Sequence, residues 1–191
     1  MIRILSWLDE ADFASYKLAT AILLANPPGT NIGQGSGVTI PSAARGYPLK
    51  YGFGLNLEQE VMKNIGIFSR LGWTPGQLET WTYTDVDRSV SLGVSIKGDA
   101  WSRHGDSFGF AYIVSGASAA NQQFLKAGGT DMLDGDGNLN YKPEKVLETY
   151  YDFKIYKIVH LTLDYQFVTN PAFNRDRGPV SIFGARLHWE F

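Results

Sequence analysis

Apolar and polar residues alternate with a period of two along six segments of the chain. The apolar positions are Tyr51, Phe53, Leu55, Leu57; Val90, Leu92, Val94, Ile96; Phe108, Phe110, Tyr112, Val114; Thr149, Tyr151, Phe153, Ile155; Leu161, Leu163, Tyr165, Phe167; and Phe183, Ala185, Leu187, Trp189, Phe191. None of them is charged, although 19% of the chain is charged. A period of two predicts β-strands with one apolar face.

The positions between them are polar, charged or small. Two further strands are weaker, because 66–73 alternates only in part and 2–9 is apolar at both odd and even positions. Eight strands are therefore predicted, near 2–9, 47–60, 65–73, 88–97, 107–116, 145–155, 160–168 and 179–191. Short and long connections alternate between them, and the longest are 10–46 and 117–143. This order predicts a single all-β unit over residues 1–191, an antiparallel up-and-down meander.

Two of the long connections carry helical patterns. In residues 11–25, apolar side chains recur near helical spacing. Residues 118–127 are bounded by residue types that commonly start and end a helix. Ser118 has the side chain of an N-cap, and Gly128 stands where a glycine commonly follows a helix C-terminus.

The alternation fits two arrangements with opposite orientations. A soluble sandwich or barrel buries the apolar face, whereas a transmembrane barrel turns it to lipid and its polar face to a lumen. Strand lengths of about 9 to 11 residues favour the transmembrane barrel, because tilted strands of this length span the hydrocarbon layer. So do aromatic residues assigned to strand ends, where interfacial girdles form: Tyr47, Tyr51, Trp73, Trp81, Tyr83, Trp101, Tyr112, Tyr151, Tyr165 and Trp189. The chain also ends on an aromatic strand at Phe191, which is typical of outer-membrane proteins.

Composition narrows the alternatives further. The net charge of -2 argues against a dedicated nucleic-acid binder. The absence of cysteine excludes disulfides, thiol nucleophiles and thiolate metal sites. The longest apolar run, 21–25, is far shorter than the roughly 20 residues of a membrane-spanning helix. Because acidic residues interrupt the first dozen positions, we also expect no signal peptide at this N-terminus.

Several stretches resemble one known family. They are YGFGLNLEQEV, IFSRLGWTPGQLETWTYTDVDRSVSLGVSIKG, DGDGNLNYKPEKVLETYY and, most specifically, NPAFNRDRGPVSIFGARLHWEF. Together, from about Tyr47 to Phe191, they are similar to the carbohydrate-selective outer-membrane porins of the OprB type. The resemblance implies a transmembrane barrel of 16 strands with a cleaved signal peptide, of which this sequence carries about eight, the C-terminal half. We therefore expect Met1 to be an internal start, or the chain to be a fragment.

A pore for sugars needs fixed hydrogen-bonding groups and aromatic surfaces that bind weakly. Arginine suits this role because its planar fork engages two neighbouring hydroxyls. The candidates facing the lumen or its rim are Arg70, Arg88, Glu148, Tyr150, Asp152, Asp164, Asn170, Arg175, Asp176, Arg177 and Arg186. The alternative is that these groups only keep the lumen wet and pair across strands. Arg175, Asp176 and Arg177 fit equally well a salt-bridged loop that holds the rim.

No cofactor or metal is expected. The stretch from Asp134 departs from a calcium loop, because Leu139 replaces its glycine and Lys145 its glutamate. The three histidines, His104, His160 and His188, have no metal-ligand spacing.

The resemblance therefore implies passive, carbohydrate-selective diffusion across the bacterial outer membrane, without enzymatic activity. The expected partners are mono- or oligosaccharides, outer-membrane lipid and, through Phe191, the outer-membrane assembly machinery. The alternative is a small eight-stranded membrane barrel with a structural or adhesive role through its long loops.

Overall fold

The computed structural model describes residues 1–26, 40–80, 86–131, 135 and 139–189. Its main element is one antiparallel sheet of eight strands, β1 (Ile2–Glu10), β4 (Leu49–Met62), β5 (Ile65–Trp73), β6 (Arg88–Lys97), β7 (Ser107–Gly116), β8 (Glu144–Tyr156), β9 (Val159–Thr169) and β10 (Val180–Trp189). Each strand pairs with its neighbour in chain order, which confirms the predicted up-and-down meander. A second sheet contains only β2 (Phe13–Ala14) and β3 (Arg45–Gly46).

The register between strands assembles the apolar positions on one side of the main sheet, here called the apolar face. Leu55 pairs with Leu71, and the row continues across β6 and β7 through the pair of Val90 and Val114. At the far edge Leu161 pairs with Leu187. Ile155 lies at a register shift in β8, and Phe191 lies outside the described residues. The opposite side is called the polar face.

Many large side chains of the apolar face are exposed, which favours the transmembrane orientation of the two left open by the sequence. Ile4 is 81% exposed and Phe183 is 80% exposed, and large side chains in the middle strands, such as Leu92, are also uncovered. A soluble sandwich would bury this face in its core. A contiguous exposed apolar surface of this kind indicates contact with lipid or with another apolar partner.

Short turns lie at one end of the sheet and long loops at the other. Only two residues separate β4 from β5 and two separate β8 from β9, and a 3₁₀ turn at Gly98–Trp101 lies between β6 and β7. The long-loop end carries the helices α1 (Tyr16–Ala25) and α2 (Ala119–Lys126) and the 3₁₀ turns Ser42–Ala44 and Pro171–Phe173.

The helix termini follow the capping pattern of the sequence. Ser118 caps α2 and accepts a hydrogen bond from the Asn121 amide, and Gly128 has a φ of 94° just beyond the C-terminus. Both predicted features are confirmed. Ser15 caps α1 in the same way through the Leu18 amide.

The buried core lies among the loops rather than on the sheet. The two helices contact each other through the rings of Tyr16 and Phe124, whose centroids are 5.4 Å apart. Leu125, Ala19 and Ile40 are buried in the same cluster. The described parts of the long loops, with α1 and α2, therefore form a packed cap at one end of the sheet, here called the loop cap.

The two edges of the sheet are unpaired within the described residues. The register gives β1 only β4 as a neighbour and gives β10 only β9, so these residues form an open sheet and not a closed barrel. Unpaired edges in a hydrocarbon layer leave backbone groups unsatisfied, so these two edges need partners in a membrane.

Aromatic side chains gather at both ends of the apolar face. Phe53 stacks on Trp73 at the long-loop end, with centroids 5.0 Å apart. At the short-turn end, Trp101 donates its Nε1–H to the Tyr151 hydroxyl at 2.8 Å. These clusters fit the girdles of a membrane barrel.

Two aromatic residues assigned to strand ends lie elsewhere. Tyr112 and Tyr165 lie in the middle of β7 and β9, so that part of the assignment is wrong. Trp81 and Tyr83 lie outside the described residues.

Candidate functional site

The polar face divides into two chemically different halves. From β4 to β7 it is lined mostly by small side chains: Gly52, Gly54, Gly66, Gly72, Ser89, Ser91, Gly93, Ser95, Ser107, Gly109, Ala111 and Ser115. From β8 to β10 it carries long polar and charged groups: Glu148, Tyr150, Asp152, Lys154, His160, Thr162, Asp164, Gln166, Arg186 and His188. The first half leaves space above the sheet, and the second fills it with hydrogen-bonding groups.

Asp152 is at the centre of a fixed network in the charged half. Its carboxylate accepts hydrogen bonds from His160 Nδ1 and from the Thr162 hydroxyl, each at 2.7 Å. Thr162 is paired in register with Arg186 on β10. Because both carboxylate oxygens are engaged, Asp152 is held in one orientation.

Six of the predicted residues lie on the polar face. Arg70 lies on β5, and Glu148, Tyr150, Asp152, Asp164 and Arg186 lie on β8 to β10. Tyr150 pairs directly with Asp164, and Glu148 pairs with Gln166. The structure thus brings together five of these residues, while Arg70 lies apart in the small-residue half.

Arg88 does not lie on the polar face, so its predicted orientation is wrong. It is the first residue of β6 and pairs with Trp73 and Gly116, in the row that continues through Val90. Strand β6 is regular from Arg88 onward, so residue 88 shares its face with residue 90. Its exposed side chain lies beside the aromatic cluster at the long-loop end, where a long cationic side chain can reach interfacial water.

The predicted rim residues occupy the loop between β9 and β10 and bind the neighbouring loop. Asn170 donates to the Pro143 carbonyl at 2.9 Å, and Asp176 accepts from the Asn140 side-chain amide at 2.9 Å. The Arg175 backbone amide bonds to the Asn140 carbonyl, and that of Arg177 bonds to Asn174. These bonds involve backbone groups, two asparagine side chains and the Asp176 carboxylate, and they join two of the long loops.

Three aromatic rings on the polar face lie over glycines of the adjacent strand. Trp7 lies over Gly52, Phe68 over Gly93 and Tyr150 over Gly109, each pair directly opposite in register. A methyl group on each glycine would meet the ring at 2.7, 2.2 and 2.1 Å, respectively. A cross-strand glycine therefore permits each ring to lie against the wall.

Trp7 and Phe68 were missed by the sequence reasoning, which assigned the polar face to polar and small residues. An aromatic residue opposite a glycine is a recognisable pair only once the register is known.

Lys50 fixes the loop cap to the polar face at the long-loop end. Its Nζ donates to the Glu79 carbonyl at 2.8 Å and to the Thr80 hydroxyl at 3.1 Å, and it lies 5.0 Å from the ring centroid of Phe13. The Glu79 carboxylate in turn binds Arg45 at 2.7 Å. The loop after β5 is therefore held against the sheet by two buried charged groups.

Asp87 joins the same loop to α2. Its carboxylate accepts the Ser118 amide at 2.7 Å, and the Ser118 hydroxyl donates to the Gly76 carbonyl. Burial raises the pKa of Asp87 above its ordinary value, and the bonds from Ser118 only partly offset this effect. Gly76 has a φ of 64°, and a methyl group there would lie 2.4 Å from Asp87, so the position requires glycine.

Asp106 organises the short-turn end in a similar way. It accepts from Arg103 Nε, the Tyr151 hydroxyl and the Lys154 amide at 2.9 to 3.0 Å. Burial acts to raise the pKa of Asp106, but these bonds outweigh it and hold the pKa below its ordinary value. The two ends of the molecule thus contain buried carboxyls with opposite pKa shifts.

Neither a metal cluster nor a membrane-spanning helix is found in the described part of the chain. No group of three or more candidate ligands converges there. None of the helices in these ranges is both long and apolar enough to cross a membrane.

Comparison with known proteins gives one family and one solved fold. The profile of the family described as carbohydrate-selective porin, OprB family, matches residues 1–191. The high-pH structure of OprB from Pseudomonas putida is similar over 100% of this chain, with a TM-score of 0.75 and 15% sequence identity. The chain spans 44% of the length of that porin. No curated protein sequence matches the chain.

Proposed function

Because the chain belongs to the carbohydrate-selective porin family OprB, we propose that it forms part of the wall of a pore through which neutral sugars diffuse passively. The family and the similarity to a solved porin place it in the bacterial outer membrane, and they support a channel rather than an enzyme. The continuous polar face behind an exposed apolar face is the observation that supports the proposal most strongly.

The apolar face would contact outer-membrane lipid, and the polar face would line the lumen. Sugars would move down their concentration gradient, exchanging water hydrogen bonds for bonds to the charged half of the wall. Glu148, Tyr150, Asp152, Asp164 and Arg186 supply both donors and acceptors there. Such groups lower the barrier for a hydroxyl-rich solute without holding it tightly.

The rim and the loop cap would narrow the entrance. Asn170, Arg175, Asp176 and Arg177 lie in the loop joined to the β7–β8 connection, and Lys50 holds the loop after β5 on the polar face. Mono- or oligosaccharides would meet these groups before the wall. Phe191 would direct assembly through the outer-membrane assembly machinery, although it lies outside the described residues.

Strand number supports a larger barrel than eight strands. A closed barrel of eight strands fills its interior with side chains, whereas 16 strands leave an aqueous channel. The eight strands described here correspond to 44% of the length of the solved porin. We therefore propose that they form about half of a 16-stranded wall.

Liposome swelling with glucose tests this proposal. We expect no glucose-driven swelling with the 191-residue chain as a monomer, and rapid swelling with a version completed to 16 strands. Rapid swelling by the monomer would contradict the geometric argument. Absence of swelling with the completed version would contradict the porin assignment and favour the structural or adhesive alternative.

A further inference from the structure

Both edge strands of the main sheet present backbone groups that the described residues leave unpaired. β1 and β10 are nine and ten residues long, and neither contains proline or lysine, which commonly protect an exposed edge. Every residue of β10 is exposed, and in β1 only Trp7 is half-buried. Two long and regular edges of this kind are templates for pairing with a further strand.

The edge strands also interrupt the chemistry of the polar face. Leu5 on β1 and Ile182 on β10 lie on that face, since they pair with Gly54 and Gln166, respectively. They are 64% and 45% exposed. The inner strands also place aliphatic side chains on this face, but these are half-buried between neighbouring strands: Ile113, Val146 and Val168. A strand added at each edge would cover Leu5 and Ile182 in the same way, and burial of their apolar surface would favour the pairing.

The directions of the strands make the two edges complementary. The sheet has eight strands and neighbouring strands are antiparallel, so β1 and β10 run in opposite directions. The β10 edge of one copy can therefore pair antiparallel with the β1 edge of a second copy, while both loop caps stay on the same side of the membrane. Pairing of β1 with β1 would instead reverse one copy across the membrane or turn its apolar face to the lumen.

The side chains along such a seam also match. Pairing the whole of β1 with β10 places Ile4 opposite Leu187 on the apolar face. On the polar face it places Leu5 opposite Arg186, whose aliphatic stem can cover an apolar neighbour. A shift of two residues would place Arg3 opposite Arg186, and like charges directly opposite each other are destabilising. A shift of one residue would exchange the two faces.

We propose that a second copy of this chain is the partner of both edges, so that two copies close a barrel through two β1–β10 seams. A repeated head-to-tail contact closes into a ring when its rotation completes a circle, and the chain spans a little under half of the solved porin. Each seam pairs backbone groups that a hydrocarbon layer would leave unsatisfied. Eight strands leave no channel, whereas the 16 strands of two copies enclose one. The proposal rests on the pore function proposed above and names the partner that completes its wall.

Disulfide crosslinking between copies tests the seam, because the chain has no cysteine of its own. A Leu5→Cys chain is mixed with chains that carry one cysteine at each position from 181 to 187, and the mixtures are folded into lipid vesicles and oxidised. We expect covalent dimers from the even positions, which share the polar face with residue 5, and the highest yield at 186. Leu187→Cys is the matched control, because it is one residue further along β10 on the opposite face. Its yield with Leu5→Cys should be at least fivefold lower than that of Arg186→Cys.

Sedimentation equilibrium of the unmodified chain in density-matched micelles counts the copies without any substitution, and we expect two. Monomers in this measurement, equal crosslinking at 186 and 187, or dimers joined from residue 5 to residue 5 would overturn the two-copy barrel. A monomeric disulfide in the double variant Leu5→Cys/Arg186→Cys would also overturn it, because one sheet would then close on itself.

Failure of the two-copy barrel and failure of the pore give different results. Monomers of the unmodified chain together with glucose-driven swelling by a version completed to 16 strands would overturn the two-copy barrel and leave the pore standing. Two copies with the expected crosslinks but without glucose-driven swelling would overturn the pore and leave the two-copy barrel standing.

Discussion

The two faces of the main sheet differ in chemistry although every strand contributes to both. On the apolar face, Leu55, Leu71, Val90 and Val114 form an unbroken row across four strands, in which Leu71 and Val90 are exposed and the other two half-buried. On the polar face of the same strands the row of Gly54, Gly72, Ser89 and Ser115 contains no large side chain. A one-residue shift in register would exchange the two faces. The comparison shows that alternate positions along each strand belong to opposite faces of the sheet. The pairing between strands then keeps each chemical type on one face.

The largest effect should come from placing a charge on the apolar face. Leu163→Arg should destabilise the protein in lipid vesicles by about 2 to 4 kcal/mol, as for arginine at the midplane of a membrane barrel. The matched variant Gln166→Arg lies on the polar face opposite Glu148 and should be tolerated. Thr162 is a poorer control because its hydroxyl already bonds to Asp152.

Denaturant unfolding followed by tryptophan emission measures both free energies of unfolding. Equal losses for Leu163→Arg and Gln166→Arg, or a larger loss for Gln166→Arg, would show that the apolar face is not in lipid.

A second, smaller effect should separate the two halves of the polar face. Asp152→Ala removes the acceptor of His160 and Thr162 and should cost about 1 to 3 kcal/mol, since two donors lose their partner. Ser91→Ala in the small-residue half should change the free energy of unfolding by less than about 0.5 kcal/mol. The same unfolding assay compares the two variants. An unchanged free energy of unfolding for Asp152→Ala would mean that the network does not order the charged half.

The smallest effects should appear at the two ends of the sheet, as opposite responses to pH. Because burial raises the pKa of Asp87, its loop packing should be most stable in acid and should weaken as pH rises from the ordinary carboxyl value, about 3.9, through the raised one. The hydrogen bonds to Asp106 lower its pKa, so the short-turn end should weaken as pH falls through that lowered value.

Hydrogen exchange at two backbone amides measures the local stability of each end of the sheet separately. The Ser118 amide donates to Asp87 and the Lys154 amide donates to Asp106. After correction for intrinsic exchange, protection of Ser118 should fall with rising pH while that of Lys154 rises. Asp87→Asn should remove the first trend and leave the second; parallel trends at both amides would refute the difference between the ends.

The sequence was sufficient for features that depend on local periodicity. The eight strands, the apolar face and the caps of α2 at Ser118 and Gly128 all follow from patterns within about ten residues. Features that depend on distant partners were not predictable. The ring of Phe68 is paired with a glycine 25 positions away in the numbering, and Lys50 meets Glu79 only because a loop folds back onto the sheet.

Arg88 illustrates a different limit. Parity along the sequence predicts that it faces the lumen or its mouth, but the pairing of a regular strand places it with Val90 on the apolar face. Its position at the strand end lowers the free-energy cost of a charge on this face, because the charged group is close to the interface rather than in the hydrocarbon. The face of a residue at a strand end is therefore known only once the strand boundary and pairing are known.

Site-directed fluorescence along β9 tests the central claim, that one face contacts lipid and the other an aqueous lumen, most directly. The chain has no cysteine, so single cysteines at positions 161 to 168 can each carry an environment-sensitive dye in vesicles of brominated lipid. The account predicts that dyes at odd positions are blue-shifted and quenched by the bromine atoms, whereas those at even positions are red-shifted and reached by a water-soluble quencher. A uniform response along the strand, or quenching by lipid at the even positions, would contradict it.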